Sequence, residues 1–121
     1  MTTRIQRRRD HGWRKPTGAV YVGRGTRWGN PSRVVWEPRT GSWQVECTGA
    51  GVIGIFAFEF TSEREARLAA VEAYRVHLKR HPELIDRART ELAGRDLMCW
   101  CKSTEPCHAD VLLELAAGEA L

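Results

Sequence analysis

The stretch DLMCWCKSTEPCHADVLLEL, residues 96–115, leaves this chain fewer options than any other segment. RDLMCWC reads as a strand, and Pro106 after a polar turn opens a helix, PCHADVLLELAAG, because proline suits a first helical turn. Side chains two apart on a strand share a face. Cys99 and Cys101 therefore present both sulfurs on one side while Met98 and Trp100 take the other. Cys107 and His108 then fall in the first turn of the following helix. Three of the four cysteines and one of the four histidines thus lie within ten positions of one strand–loop–helix unit.

Three chemistries fit the spacing C-x-C-x5-C-H. Three thiolates and an imidazole form a tetrahedral set suited to zinc, with Cys99, Cys101, Cys107 and His108 as its ligands. Alternatively, Cys107 is a functional thiol activated by the helix N-terminus, with His108 or Asp110 beside it. In the third reading Cys99 and Cys101 are packed core thiols, since free cysteine is among the most buried residue types. A disulfide is the least expected outcome. A chain of 121 residues buries a core without one, no apolar run approaches the ~18 residues of a membrane span, and the basic N-terminus MTTRIQRRRDHGWRK has no apolar stretch behind it. The protein is expected in a reducing cytoplasm, away from membranes, where clustered cysteines serve metals or thiol chemistry. The zinc-deaminase pattern, H-x-E followed by P-C-x-x-C, is echoed by His81, Pro82, Glu83, Pro106 and Cys107. It fails because position 110 is aspartate where another cysteine ligand is required.

The remaining elements follow from periodicity and punctuation. GAVYVGR, residues 18–24, is a short buried strand closed by glycine, and RVVWEPRTGSWQVEC reads as two strands around a PRTG turn. VIGIFAFEF, residues 52–60, makes a third strand after a TGAG turn, completing a meander. Ser62 with Glu65 forms a capping box before a long helix that ends ahead of Pro82, and a second helix runs from Pro82 toward a stop at Gly94. The expected fold is α/β: one small domain over residues 1–121, a short central sheet containing 19–23 and 96–101, a β-meander insertion and three helices packed on it, with a basic N-terminal arm at about 1–16. In such folds ligands gather at the carboxyl ends of the strands, and the loops 24–31 and 102–107 both leave strands in that way.

Charge adds a partner class. Residues 1–39 carry ten basic residues against Asp10 and Glu37, a net of +8, so a total of +4 leaves −4 for the rest. Such a front suits a phosphate-bearing partner, with Arg7, Arg8 and Arg9 expected along a nucleic-acid backbone. In the loop GRGTRWGNP, Arg24 and Arg27 are expected to hold phosphate, Trp28 to stack on a base and Asn30 to pair with its edge. The competing role for Trp28 is to cap the core.

The front block RIQRRRDHGWRKPTGAVYVGRGTRWGNP and the back block LAGRDLMCWCKSTEPCHADVLLELA together resemble the two signature blocks of the domain-of-unknown-function family numbered 4326, found in phages and bacteria. Gly23, Arg24, Thr26, Trp28, Gly29, Asn30 and Pro31 satisfy the first pattern; Cys99, Trp100, Cys101, Cys107, His108 and Asp110 satisfy the second. The resemblance implies a phage or prophage setting in a bacterial host and one joint site, but no activity. The expected function is binding of a nucleotide or nucleic acid at that site, with Cys107, His108 and Asp110 carrying any catalysis on a nucleotide or nucleobase. A non-catalytic DNA- or RNA-binding module with structural zinc, or a phage protein that binds a host protein, is the alternative.

Overall fold

A computed structural model describes residues 2–49 and 52–121. The expected TGAG turn, 48–51, therefore lies partly outside the described residues. The chain is an α/β domain with two three-stranded sheets and three helices. In chain order the elements are β1 (Arg4–Gln6), β2 (Val20–Tyr21), β3 (Ser32–Glu37), β4 (Ser42–Gly49), β5 (Val52–Phe60), α1 (Glu63–Lys79), α2 (Pro82–Glu91), β6 (Leu97–Cys99) and α3 (His108–Ala116).

β6 lies between β1 and β2 and runs parallel to both, so all three carboxyl ends open on one edge. Its flanking bonds are short: Arg7 N–H donates to the Cys99 carbonyl at 2.7 Å, and Val22 N–H to the Met98 carbonyl at 2.9 Å. The expected basic arm is thus part of the sheet at its start. Arg4, Ile5 and Gln6 pair with Leu97, Met98 and Cys99 because a parallel edge strand needs backbone groups more than apolar side chains. The second sheet is the expected antiparallel meander β3-β4-β5.

Helix α1 packs between the two sheets. Ser62 caps it by accepting from the Glu65 N–H at 3.1 Å, and the glutamates of the first turn suit the positive end of its dipole. Its Ala66 and Ala70 meet Val45 of the meander, while Tyr74 and Leu78, two turns further, enter the main core with Leu97, Leu112 and Leu115. Small residues at one end let a sheet approach closely; large ones at the other fill the space between helices. Val111, Leu112 and Leu115 of α3 are fully buried, each side chain contributing about 1.5–3 kcal/mol by leaving water. No described helix is long and apolar enough to cross a membrane.

The loop between β2 and β3 folds back on itself. Thr26 N–H donates to the Gly23 carbonyl and Gly29 N–H to the Thr26 carbonyl. A β-carbon on Gly29 would sit 3.0 Å from the Gly23 oxygen and 3.2 Å from Arg24 Cα, so glycine is required by the close approach of backbone. Tyr74 locks this loop by donating its hydroxyl to the Trp28 carbonyl at 2.8 Å in a fully buried setting. Tyr74→Phe should lower unfolding free energy in urea by about 1–3 kcal/mol, since it leaves that carbonyl dry and unpaired. An unchanged midpoint and slope would show that the carbonyl finds another donor.

Candidate functional site

Strand β6 ends at Cys99, the backbone turns at Trp100 and Cys101, and six residues later Cys107 is the N-cap of α3. This places three sulfurs, two from the strand end and one from the helix start, all within 4.8 Å of one another. Cys99 and Cys101 Sγ are 3.8 Å apart, on the same side as their spacing requires. Among the described residues no other histidine, cysteine or carboxylate joins the set. His108 is adjacent but turned aside. Its Nε2 lies 2.7 Å from the buried Val22 carbonyl, so Nε2 carries a proton, while Nδ1 faces Cys107 Sγ at 3.7 Å.

The three thiols differ in acidity. The thiols of Cys101 and Cys99 donate to Cys107, and with His108 beside it these bonds outweigh burial and bring Cys107 far below the ordinary thiol value. The partners move the other way: Cys101 is pushed up by Cys107, Cys99 and burial. Cys107 is therefore the most acidic of the three thiols.

A cation arrives from the far end of the chain. Arg4 of β1 donates through Nη2 to the carbonyls of Ser103 at 2.8 Å and Glu105 at 2.7 Å, and its Nε lies 3.4 Å from Asp110. Its side chain is only 10% exposed, and Nη1 is buried without a hydrogen-bond partner. Burial opposes the charge, but Cys107 and Asp110 more than offset it. Asp110 is half-exposed, its carboxyl pushed up by burial against the pull of Arg4. The arginine thereby pins the 102–105 loop over the cluster and supplies positive charge beside a thiolate.

The sulfurs face a cavity of about 510 Å³. Its walls bring Arg24 from the glycine loop, Arg33 from β3 and Arg67 from α1 together with Cys99, Cys101 and Cys107, and Tyr21 and Trp100 form an aromatic rim. Arg33 pairs with Glu46, and Arg67 with Glu63 and Glu105. Arg24 donates to the carbonyls of Asn30 and Ser32 and, among the described residues, meets no carboxylate. No aspartate or glutamate lines the cavity among the described residues. Both signature blocks thus border one concave space, at the strand ends where the topology places it.

A family model described as Domain of unknown function (DUF4326) matches residues 5–118. The chain belongs to that family. No curated protein and no solved structure matches it. In this member of the DUF4326 family the two blocks border one cavity, with β3 and α1 completing its wall.

Several of the expected site residues take other roles. Trp28 does not stack on a ligand: it is 5% exposed and packs in the main core, so the competing role as a core residue is the observed one. Asn30 borders the cavity, but its amide is spent internally, Nδ2 on the Ala70 carbonyl and Oδ1 on the Ser32 N–H, so it ties the loop to α1. Arg27 turns away to Glu91 of α2 at 3.3 Å and is not a cavity residue. His108 is 6% exposed with its ring edge-on to Tyr74, 5.0 Å between centroids, which makes it a packed residue as well as a neighbour of Cys107. Asp110 serves Arg4 and does not line the cavity. Arg24 and Cys107 stay where the sequence puts them. Residues 7–9 line a separate groove behind β6.

Arg4, Arg67 and Trp100 are missed by sequence reasoning. Trp100 was visible as the partner of Met98 on the other strand face; Arg4 and Arg67 have no local signal, being placed by pairings with segments far away in the chain. Two outcomes follow. Trp28→Ala should cost about 3–5 kcal/mol of stability, read by thermal or urea unfolding, since it empties a core position. In chelator-treated protein the ultraviolet thiolate absorbance should show one thiol still ionised well below the ordinary 9.0, lost in Cys107→Ser, with the other two ionising above it. Three thiols titrating together near the ordinary value would refute the shared thiolate.

Proposed function

We propose that the cavity binds a phosphate-bearing ligand, a nucleotide or nucleic-acid segment, in front of a zinc ion held by Cys99, Cys101 and Cys107. One observation carries the reading: three cysteine sulfurs close on one another at the floor of an open cavity whose walls bear arginines and no carboxylate. Zinc–sulfur bonds of ~2.3 Å in a tetrahedron set sulfurs about 3.8 Å apart, the separation of Cys99 and Cys101. Soft thiolates select zinc over the hard cations that carboxylates hold. Three protein ligands with a fourth position open to a cavity is the arrangement of reactive zinc centres, whereas structural sites close all four.

Three thiolates around a divalent ion leave a net negative charge, which Arg4 offsets from behind. Arg24 meets the phosphate from the front, and the backbone N–H groups at the start of α3 add positive potential. A zinc ion held by Cys99, Cys101 and Cys107 would supply Lewis acidity and an ionised water for hydrolytic chemistry on a nucleotide or nucleobase. Cys107 would then be a ligand of the ion, with His108, held by its Nε2 bond to the Val22 carbonyl, packed beside it.

A second reading has one observation in its favour. His108 Nδ1 stands 3.7 Å from Cys107 Sγ, and a ring rotation that gave up the Val22 bond would let it close the zinc as a structural site in a non-catalytic nucleic-acid module. X-ray absorption at the zinc edge separates the two, with three sulfurs and an oxygen for the open site and three sulfurs and a nitrogen for the closed one. Purified protein should carry about one zinc per chain by mass spectrometry, and Cys107→Ser should lose it. Arg24→Met should weaken AMP binding in calorimetry by about tenfold or more while zinc content holds, because a charge-assisted bond to phosphate is removed. Metal-free protein with intact AMP affinity would remove the zinc from the proposal; unchanged affinity in Arg24→Met would remove the phosphate assignment.

A further inference from the structure

Behind the cysteine cluster, on the opposite face of β6, lies a second groove of about 660 Å³. Arg7, Arg8, Arg9 and Lys15 line it with Trp13 and Trp100. Its cations are largely uncommitted to acids: among the described residues only Arg8 has a carboxylate partner, Asp10 at 3.5 Å, and both of those side chains are exposed. The guanidinium of Arg7 lies over the rings of Tyr21, at 4.9 Å, and Trp100, at 5.1 Å, and that of Arg9 over Trp100 at 4.9 Å. Trp100 is nevertheless 38% exposed. Mobile guanidiniums lying over a part-exposed indole form a surface on which an unpaired base stacks by taking the place of one guanidinium, which then turns to the phosphate.

The groove and the cavity are neighbours. Tyr21 and Trp100 line both, so one pair of aromatic rings is the partition between the basic groove and the cysteine floor. Trp100 also sits in the chain between Cys99 and Cys101, so whatever stacks on it is held in register with the sulfurs. Arg7, Arg9 and Lys15 in the groove and Arg24 in the cavity meet no carboxylate among the described residues, and four such cations exceed the two negative charges of one mononucleotide phosphate.

We propose that the ligand is a single-stranded nucleic acid that runs through the basic groove, stacks a base on Trp100 and delivers the next nucleotide over the Tyr21–Trp100 partition into the cysteine cavity. This rests on the reading of the cavity as a nucleotide site and names its substrate class. Duplex is disfavoured because its base faces are already stacked and cannot meet Trp100. The backbone contacts come from the groove, and they are independent of sequence.

Fluorescence anisotropy with labelled oligo-dT of about twelve nucleotides, against a duplex of the same length, tests it on the zinc-loaded full chain. The single strand should bind at least about tenfold tighter than the duplex and quench tryptophan emission. Trp100→Ala should weaken it by about tenfold, the loss of one base–aromatic stack, while Trp100→Phe restores most of the affinity. Replacing Arg7, Arg9 and Lys15 by alanine should make the salt dependence shallower by about 2 in log–log slope, since each lost phosphate contact removes ~0.7. Equal affinity for duplex, or binding unaffected by Trp100→Phe and Trp100→Ala alike, would overturn the single-strand path. The two readings fail separately. Oligo-dT that does not bind while zinc and AMP do removes the groove alone, and oligo-dT that binds with Arg24→Met showing unchanged AMP affinity removes the cavity alone.

Discussion

The parallel pairing of β6 with β1 on one side and β2 on the other is the constraint from which the site follows. Three residues, Leu97 to Cys99, are buried, and their backbone bonds reach two segments far apart in sequence. Because the pairing is parallel on both sides, the loops that follow Gln6, Tyr21 and Cys99 must emerge on one edge. Arginine-rich backbone, glycine loop and cysteines are thereby gathered without any of them being adjacent in the chain. Alternation along the strand does the rest: Cys99 faces the helices and the cavity, and Met98 faces the basic groove.

The helices serve this sheet in different ways. α3 ties the thiolate position to the core, since Cys107 caps it and Val111, Leu112 and Leu115 bury it. α1 carries Arg67 to the cavity wall from a face whose other residues hold the meander. Tyr74 links the two halves, donating to Trp28 in the front block and lying edge-on to His108 in the back block. A buried hydroxyl and a buried imidazole, each with its one partner satisfied, are a stiff connection between the walls of the cavity.

Much of this was legible in the residues, and what was not had a common cause. VIGIFAFEF is β5 to the residue, Ser62 caps α1, and the C-x-C spacing brings two sulfurs to one side, because each of these rests on local periodicity or a cap. The sequence places β1 in the basic N-terminal arm since RIQ has a single apolar residue, and only its parallel partner 93 positions away makes it a strand. Trp28 looked exposed among glycines and arginines. Its burial depends on Tyr74, 46 residues on, which no local pattern reveals. Arg27 and Arg24 are alike in sequence, yet one meets Glu91 and the other only carbonyls; the difference lies in which helix passes each.

The reach of Arg4 has a kinetic side. Its contacts with the 102–105 loop span about a hundred residues of chain, and β1 has no sheet partner until β6 exists. The meander and α1, which pair and pack locally, are complete long before that point in synthesis. Closure entropy makes contacts of such separation form late, so the sulfurs come together in the last events of folding. Before β6 and α3 have formed, the meander and α1 already have their own partners while the three sulfurs stand apart, so the cluster is the product of long-range closure rather than of local pairing.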